Sequence, residues 1–214
     1  MAAPNSAHIP RATIQRLAIY LEVLEKLHDD GISVISSEPL AKACAVNASQ
    51  IRKDLTYFGE FGVRGVGYNI ANLMTSIAEA LGADRAWNCV LVGTGKLGKA
   101  LLNHRDFSLR SYHIIGAFDS DPEKIGDEIC GITVRNVHCL KECTEELNAK
   151  IGIITTPPAW AQQVADQLVE AGIQGILNFV PARIFVPDHV YLEYVDFFHH
   201  LYALSFNITA AENK

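Results

Sequence analysis

The chain has 214 residues, 49% of them apolar, and a formal net charge of −6. That length admits one large or two small domains, and the composition is that of an ordinary globular protein. No apolar run approaches the ~20 residues of a membrane span, and Pro4, His8 and Pro10 interrupt any signal-peptide pattern, so a cytoplasmic protein is expected.

The net acidity counts against nucleic acid globally, which leaves the local distribution of charge to decide. Five cysteines, Cys44, Cys89, Cys130, Cys139 and Cys143, lack C-x-x-C spacing. They argue against a zinc site or a disulfide framework, and most read as small buried apolar residues.

From Ile14, the residues Leu17, Ala18, Leu21, Leu24 and Leu27 recur at helical spacing as far as Gly31, which predicts one long amphipathic helix. After Ser36-Ser37-Glu38-Pro39, where proline suits a first turn, Leu40 to Cys44 form a short second helix and Ala45-Val46 turns the chain. Asn47-Ala-Ser-Gln50 matches a capping arrangement, with Asn47 accepting from first-turn N–H groups and Gln50 at the reciprocal position. It opens a third helix from Ala48 to about Phe58.

Helix, short helix, tight turn and capped helix is the helix-turn-helix order, which presents the start of the last helix to the major groove. Ser49, Gln50, Arg52 and Lys53 are there to reach base edges or phosphates. Gly59 to Tyr68 places four glycines around Arg64, a plausible hairpin wing whose arginine enters a minor groove. Composition alone allows a blander reading, in which Arg52 and Lys53 belong to a solvated face and the glycines to a linker. Asn69 to Leu81 is a further amphipathic helix stopped by Gly82, closing a first domain at about residue 84.

An apolar strand from Cys89 to Val92 then runs into Gly93-Thr94-Gly95-Lys96-Leu97-Gly98 and a helical pattern through Leu102. Strand, glycine turn and helix is the dinucleotide-binding order. Gly93 makes the turn, Gly95 admits a pyrophosphate to the backbone, Gly98 lets helix and strand pack closely, and the diphosphate sits at the helix N-terminus. The next strand, His113 to Phe118, delivers Asp119 about 20 residues on, where an acid binds ribose hydroxyls and disfavours a 2′-phosphate. A purely structural turn with a solvated aspartate is the alternative.

Further strands are expected at Gly131 to Val137, at Ile151 to Thr156 and at Gly175 to Val180, with a helix from Ala159 to Ala171. Alternating strands and helices imply a parallel sheet with its ligand beyond the carboxyl ends, where Thr155, Thr156, Pro157, Asn178 and Phe179 fall. Asn178, the one polar group in its strand, either orients a ligand or satisfies a neighbouring loop. After a strand from Val190 to Val195, a helix from Asp196 to Phe206 is apolar over so much of its circumference that it must be buried, as on a partner subunit.

With these parts in order, the chain resembles the Rex family of redox-sensing transcriptional repressors over nearly its whole length. The resemblance is carried by Ile51-Arg-Lys-Asp-Leu-Thr-Tyr-Phe-Gly59, Arg64-Gly-Val-Gly-Tyr68, Gly93 to Gly98, Phe118-Asp-Ser-Asp-Pro-Glu-Lys124 and Gly175-Ile-Leu-Asn-Phe-Val-Pro181. It implies an α/β chain with a winged helix-turn-helix domain over 1–84 and a Rossmann-like NAD(H)-binding domain over 85–190. Residues 191–214 would form a C-terminal strand and a domain-swapped dimerisation helix.

It further implies a homodimer that holds a palindromic operator when NADH is scarce and releases it when NADH rises. Arg52, Lys53 and Tyr57 would lie on the recognition helix, Arg64 on the wing, and Asp196 and Phe197 on the swapped helix, with Phe197 lining the nicotinamide pocket. Two positions depart from the pattern. His104 stands where a tyrosine usually pairs with the aspartate of the swapped helix, and Glu22 stands where some members carry an arginine.

The rivals are an NAD-dependent oxidoreductase and a CoA-binding ligase module. The first needs a proton-transfer group beside the nicotinamide. The strand ends offer threonines, prolines and an asparagine, while His104, His199 and His200 sit on helical patterns. The second leaves the helix-turn-helix unexplained. Neither catalytic residues nor a metal site is therefore expected.

Overall fold

The computed structural model describes residues 9–59, 62–63, 66–104 and 106–212. The chain divides into two compact units, Met1–Arg85 and Ala86–Lys214.

In the first unit, α1 (Arg11–Asp29), α2 (Ser37–Ala43), α3 (Ala48–Leu55) and α4 (Ile70–Leu81) surround one core. The core-facing stripe of α1 is Leu17, Tyr20 and Leu24, which meets Leu40 of α2, Ile51 of α3 and Leu73 of α4. Ala45 takes φ 54°, and this left-handed residue makes the expected turn between α2 and α3. Gly82 ends α4 at φ 67°. A small antiparallel sheet, ordered β1-β3-β2, joins β1 (Val34–Ile35), β2 (Gly62–Val63) and β3 (Gly67–Asn69). β1 is too short to leave an alternating pattern in the sequence.

α3 stops at Leu55, three residues before the expected Phe58, and the Thr56 hydroxyl donates to the Lys53 carbonyl at 2.7 Å as the chain turns off. Tyr57 therefore follows the helix. Arg64, expected on a hairpin wing, lies outside the described residues.

The second unit is a seven-stranded sheet ordered β10-β9-β8-β4-β5-β7-β6. β4 (Trp87–Val92), β5 (Tyr112–Asp119), β7 (Ile132–Asn136), β8 (Ile151–Ile154), β9 (Gly175–Asn178) and β10 (Tyr191–Tyr194) are parallel, and only β6 (Glu128–Ile129) runs antiparallel. The chain winds outward from β4 through β5 to β7, then restarts on the other side through β8, β9 and β10. A crevice opens at such a reversal, beyond the carboxyl ends of the strands.

The helices are α5 (Lys96–Leu102), α6 (Asp106–Leu109), α7 (Leu140–Glu146), α8 (Ala161–Glu170) and α9 (Phe197–Glu212). α8 begins with a tight 3-10 turn over Pro158–Trp160 in place of the expected start at Ala159. α6 and α7 were not expected. α9 runs six residues past Phe206, and Asp196 lies outside it as a cap, its Oδ1 accepting from the Phe198 N–H at 2.9 Å.

Candidate functional site

Gly93 leaves β4 at φ 102°, and a Cβ on it would lie 2.8 Å from the backbone of Thr155 and Thr156. The turns after β4 and β8 thus rest directly on one another, and the Thr155 hydroxyl locks them by donating to the Gly93 carbonyl at 2.7 Å. Gly98 is buried, and its Cβ would lie 2.0 Å from the Gly93 carbonyl oxygen, so α5 packs here only without a side chain. Gly95 differs from both. Its backbone is extended (φ −68°, ψ −167°), and nothing lies within 4 Å of its absent Cβ.

Asp119 ends β5 in a buried position. Its Oδ2 accepts from the Thr94 N–H and hydroxyl, both at 2.8 Å, and from Lys124 Nζ at 3.3 Å, while its Oδ1 accepts from the Asp121 N–H at 3.0 Å. Burial alone would raise this carboxyl. Hydrogen bonds from the Asp121 and Thr94 amides, the Thr94 hydroxyl and Lys124 outweigh it and hold the group below the ordinary carboxylate value. Lys124 also reaches the Asp121 carboxylate at 3.3 Å, so two carboxylates and one ammonium leave a net negative charge at this rim.

These groups border a cleft of about 470 Å³, a size typical of small-molecule sites. Of the expected residues, Gly93, Gly95, Asp119, Thr155, Thr156 and Pro157 line it. The Thr156 hydroxyl is buried with no hydrogen-bond partner, which in a native site marks a group waiting for a ligand or a water.

Thr94 lies underneath, fully buried and committed to Asp119. Lys96 and Leu97 are exposed on the first turn of α5 and do not border the cleft. Asn178 takes the loop role of its two alternatives: its Nδ2 donates to the Val180 and Ala182 carbonyls at 3.2 and 3.1 Å, and its Oδ1 accepts from the Val180 N–H at 2.9 Å. Fully buried and spent on that loop, it is corrected from ligand contact to loop support. Phe179 is half-buried against the Cys89, Leu91 and Ile153 cluster and is likewise outside the cleft.

The remaining wall carries no motif: Val137 and His138 after β7, Trp160, and the Gln163, Val164 and Gln167 face of α8. The polar pair one turn apart at Gln163 and Gln167, flanking the apolar Val164, was the one signal available for that face.

In the first unit the expected cap on α3 forms, with Asn47 Oδ1 accepting from the Gln50 N–H at 2.7 Å. The reciprocal half does not. Gln50 Nε2 donates to Asp54 Oδ1 at 2.8 Å, a charge-assisted bond that turns the side chain toward the buried carboxylate and takes Gln50 Oε1 away from the Asn47 N–H.

Asp54 is 1% exposed and is held on every side. Arg16 donates from Nε at 2.6 Å and Nη2 at 2.7 Å, Tyr20 from its hydroxyl at 2.8 Å, and Thr13 at 3.2 Å. Burial would raise the carboxyl, and the hydrogen bonds from Arg16, Tyr20 and Gln50 reverse this and hold it low. Burial and the bond to Asp54 in turn push the Tyr20 phenol well up. The exposed side of α3 carries Ser49, Arg52, Lys53 and, past its end, Tyr57. Arg52 is steadied by Ser37 Oγ at 2.7 Å and Ser49 Oγ at 3.4 Å.

At the C-terminus, α9 has no buried residue in this chain: Phe197 is 62% exposed and Phe206 72%. The expectation that this helix is buried is not met within one subunit, and Phe197 does not line the cleft. Asp196 pairs with His199 at 3.5 Å. His104 lies just beyond α5, edge-on to Phe107 at 6.3 Å.

Among the described residues, no helix is long and apolar enough to cross a membrane, and no group of three or more His, Cys, Asp or Glu residues is placed to hold a metal ion.

Two known families match the chain, one described as a putative DNA-binding protein N-terminus over residues 8–56, the other as a CoA binding domain over residues 84–182. Proteins named redox-sensing transcriptional repressor Rex are similar over nearly the full length. The one from Solidesulfovibrio magneticus is 58% identical, covering 96% of this chain and 93% of its own, and the one from Maridesulfovibrio salexigens is 58% identical, covering 97% and 100%. Among solved structures, RSP, a Rex-family repressor, in complex with NAD⁺ and operator DNA superposes with a TM-score of 0.90 at 37% identity over 95% of this chain and 94% of that one. Its complex with NADH gives 0.87 at 35% identity over 96% and 97%.

Proposed function

The chain belongs to the Rex family of redox-sensing transcriptional repressors, and from that premise we propose that it binds palindromic operator DNA as a homodimer and releases it when NADH enters the cleft of the second unit. It is a regulator of transcription that reads the NADH/NAD⁺ ratio. We read it as acting by binding alone, without catalysis, in the cytoplasm where its duplex lies. A coenzyme A reading of residues 84–182 leaves the first unit without a role, whereas the Rex relatives span both.

The observation that carries the reading is the open backbone at Gly95, at the strand ends and beside the unpartnered Thr156 hydroxyl. Those residues fit a dinucleotide. Gly95 and the start of α5 receive the diphosphate, Asp119 receives the adenosine ribose, and Val137 with Val164 supplies an apolar wall for the base. Thr94 and Lys124 keep Asp119 ionised and fixed, and an anion there disfavours a 2′-phosphate, so NAD(H) is selected over NADP(H).

When bound, the dinucleotide supplies a nicotinamide ring that is neutral in NADH and cationic in NAD⁺. Gly93, Gly95, Gly98 and Asp119 meet only the shared adenosine diphosphate, so discrimination falls to residues that meet the ring. We assign it to Phe197 and Asp196 of the partner subunit's α9, with His104 facing that helix. An exposed apolar helix capped by Asp196 is the form such an exchanged element takes.

A ligand shifts an equilibrium only by its differential affinity for two states, so NADH must prefer the dimer whose recognition helices no longer match the half-sites. Ser49, Gln50, Arg52, Lys53 and Tyr57 on or beside α3, with Arg64, make the DNA contacts. Calorimetric titration with NADH, NAD⁺ and NADPH tests the cleft: tight binding of NADH and much weaker binding of NADPH is expected, and equal affinity for NADPH would contradict the role given to Asp119.

A further inference from the structure

We propose that Cys139 and Cys143 form a thiol pair that a hydroperoxide oxidises to a disulfide, and that this closure withdraws Val137 from the cleft and weakens NADH. The pair stands on the geometry of α7, and only its effect on NADH rests on the reading of the cleft as a dinucleotide site.

Cys139 ends the 3-10 turn Val137–Cys139 and is the cap residue before α7, and Cys143 follows one helical turn later. Residues four apart share one helix face. Arg135 on β7 reaches that face: its Nη1 donates to Cys143 Sγ at 3.1 Å and lies 3.8 Å from Glu146 Oε2. The bond to Cys143 and that thiol's charge, with lesser help from Glu146 and Cys139, raise the guanidinium above its ordinary value, so one cation is felt by both sulfurs.

The two thiols differ in access. Cys139 is exposed, whereas Cys143 is 7% exposed and belongs to the core cluster that holds Val137 and Leu140. The other three cysteines lack this setting. Burial pushes Cys44 up to about 11 and Cys89 up to about 12, and Cys130 donates to Asn103 Oδ1 at 2.8 Å.

Cys139, as thiolate, attacks one oxygen of the hydroperoxide. The O–O bond breaks, the departing oxygen takes up a proton as alcohol or water, and Cys139 becomes a sulfenic acid. The Cys143 sulfur then attacks that of Cys139, with the Arg135 N–H beside it to steady the charge as its proton departs. The S–S bond forms, the S–O bond breaks, and the hydroxide leaves with that proton as water. Two electrons from the two thiols have reduced the O–O bond.

Cβ atoms four residues apart on a helix are about 5–6 Å apart, and a disulfide needs about 3.5–4.5 Å, so roughly 1–2 Å must be closed. The movement falls on Cys139, whose φ of −87° and ψ of 5° already leave the α-helix, since Cys143 is packed in the core. The turn that moves carries Val137 and His138, both in the cleft wall. A bond closed under strain is readily reduced, which makes the change reversible. Peroxide would thus keep the protein on its operator at NADH levels that otherwise release it.

The test treats reduced full-length protein with hydrogen peroxide, blocks free thiols with iodoacetamide, maps peptides by mass, and titrates NADH calorimetrically before and after. A disulfide between Cys139 and Cys143 is expected, with NADH weakened about 4- to 15-fold, the worth of one or two CH2 groups lost from the apolar wall, and restored by dithiothreitol. Cys139→Ser, at an exposed position, should show neither effect, and Cys130→Ser should show both. Arg135→Gln should slow disulfide formation several-fold and leave the reduced protein's NADH affinity unchanged.

The proposal is overturned if peroxide yields no such disulfide, if the disulfide leaves NADH affinity unchanged, or if Cys139→Ser loses affinity as the parent does. A reduced parent that bound no NADH would instead defeat the reading of the cleft, and the peptide map alone would then decide whether the thiol pair exists.

Discussion

Gly95→Ala separates the two jobs that glycines do in this turn. The backbone at Gly95 is one that alanine adopts freely, and the new methyl meets nothing within 4 Å. The fold should accept it: restriction of the unfolded chain adds roughly 0.4–1 kcal/mol, and the poorer N-cap that alanine gives α5 costs a similar ~1 kcal/mol, so Tm should change little. The same methyl fills the space where a diphosphate must approach the chain. Overpacking of that kind costs ~1–3 kcal/mol, which weakens NADH about 5- to 150-fold.

Gly98→Ala is the contrasting case. Its Cβ would start 2.0 Å from the Gly93 carbonyl oxygen, and contacts under 3.0 Å are not tolerated, so α5 or the turn must move by at least about 1 Å. Helix propensity favours alanine there by ~0.5–1 kcal/mol, too little to offset a backbone clash, so Tm should fall together with NADH affinity. Thermal melting and calorimetric titration of both variants check this. A folded Gly95→Ala protein that binds NADH as tightly as the parent would falsify the placement of the diphosphate.

Three other outcomes are expected. Asp54→Asn should weaken the first unit by roughly 1.5–3 kcal/mol, the worth of hydrogen bonds to a charged group. Because Asp54 is held below the ordinary carboxylate value, its contribution is complete above the unfolded pKa of ~3.9 and is lost as pH falls from there through the folded value. Acid melts followed by circular dichroism should show that loss in the parent and not in the variant.

Arg52→Ala should weaken operator binding and leave NADH affinity of the free protein unchanged. If the contact is to phosphate, the salt slope falls by about one, and unchanged operator affinity would remove Arg52 from the interface. Deleting residues 196–214 should abolish both the dimer and NADH-triggered release while some cofactor affinity survives. A truncated chain that stayed dimeric in analytical ultracentrifugation would place the dimer contact elsewhere.

What could be read before folding followed from local rules. The Asn47 cap, the Gly82 stop and the strand-glycine-helix order at Gly93 each rest on a few adjacent residues whose conformational preferences agree, whereas the turn at Ala45-Val46 was legible only from the helices on either side, since alanine does not favour the φ of 54° that Ala45 takes. Contacts that depend on distant chain were not legible. Asp54 sits among cations and polar groups on α3, and only folding brings Arg16, Tyr20 and Thr13 of α1 around it and draws Gln50 away from the reciprocal cap.

Asn178 had two readings of equal standing in sequence, and the loop at Val180 and Ala182 decided between them. The cleft wall from Val137, Val164 and Gln167 joins a short 3-10 turn to a helix face nearly thirty residues away along the chain, a juxtaposition with no periodic trace. α9 was recognisable as apolar on too many sides, yet the surface that covers it belongs to another copy of the chain, in our reading, and so left no mark within this one.

The central claim is that one dimer couples the cleft to the grip on DNA. Fluorescence anisotropy of a labelled palindromic operator bound by the full-length protein, titrated with NADH and separately with NAD⁺, addresses it directly. Anisotropy should fall to that of free duplex as NADH is added and hold steady with NAD⁺ at the same concentration, and the NADH midpoint should rise when NAD⁺ is already present, since both occupy one cleft. An operator complex that NADH leaves intact at concentrations saturating the free protein, or that both forms dissociate alike, would contradict the account.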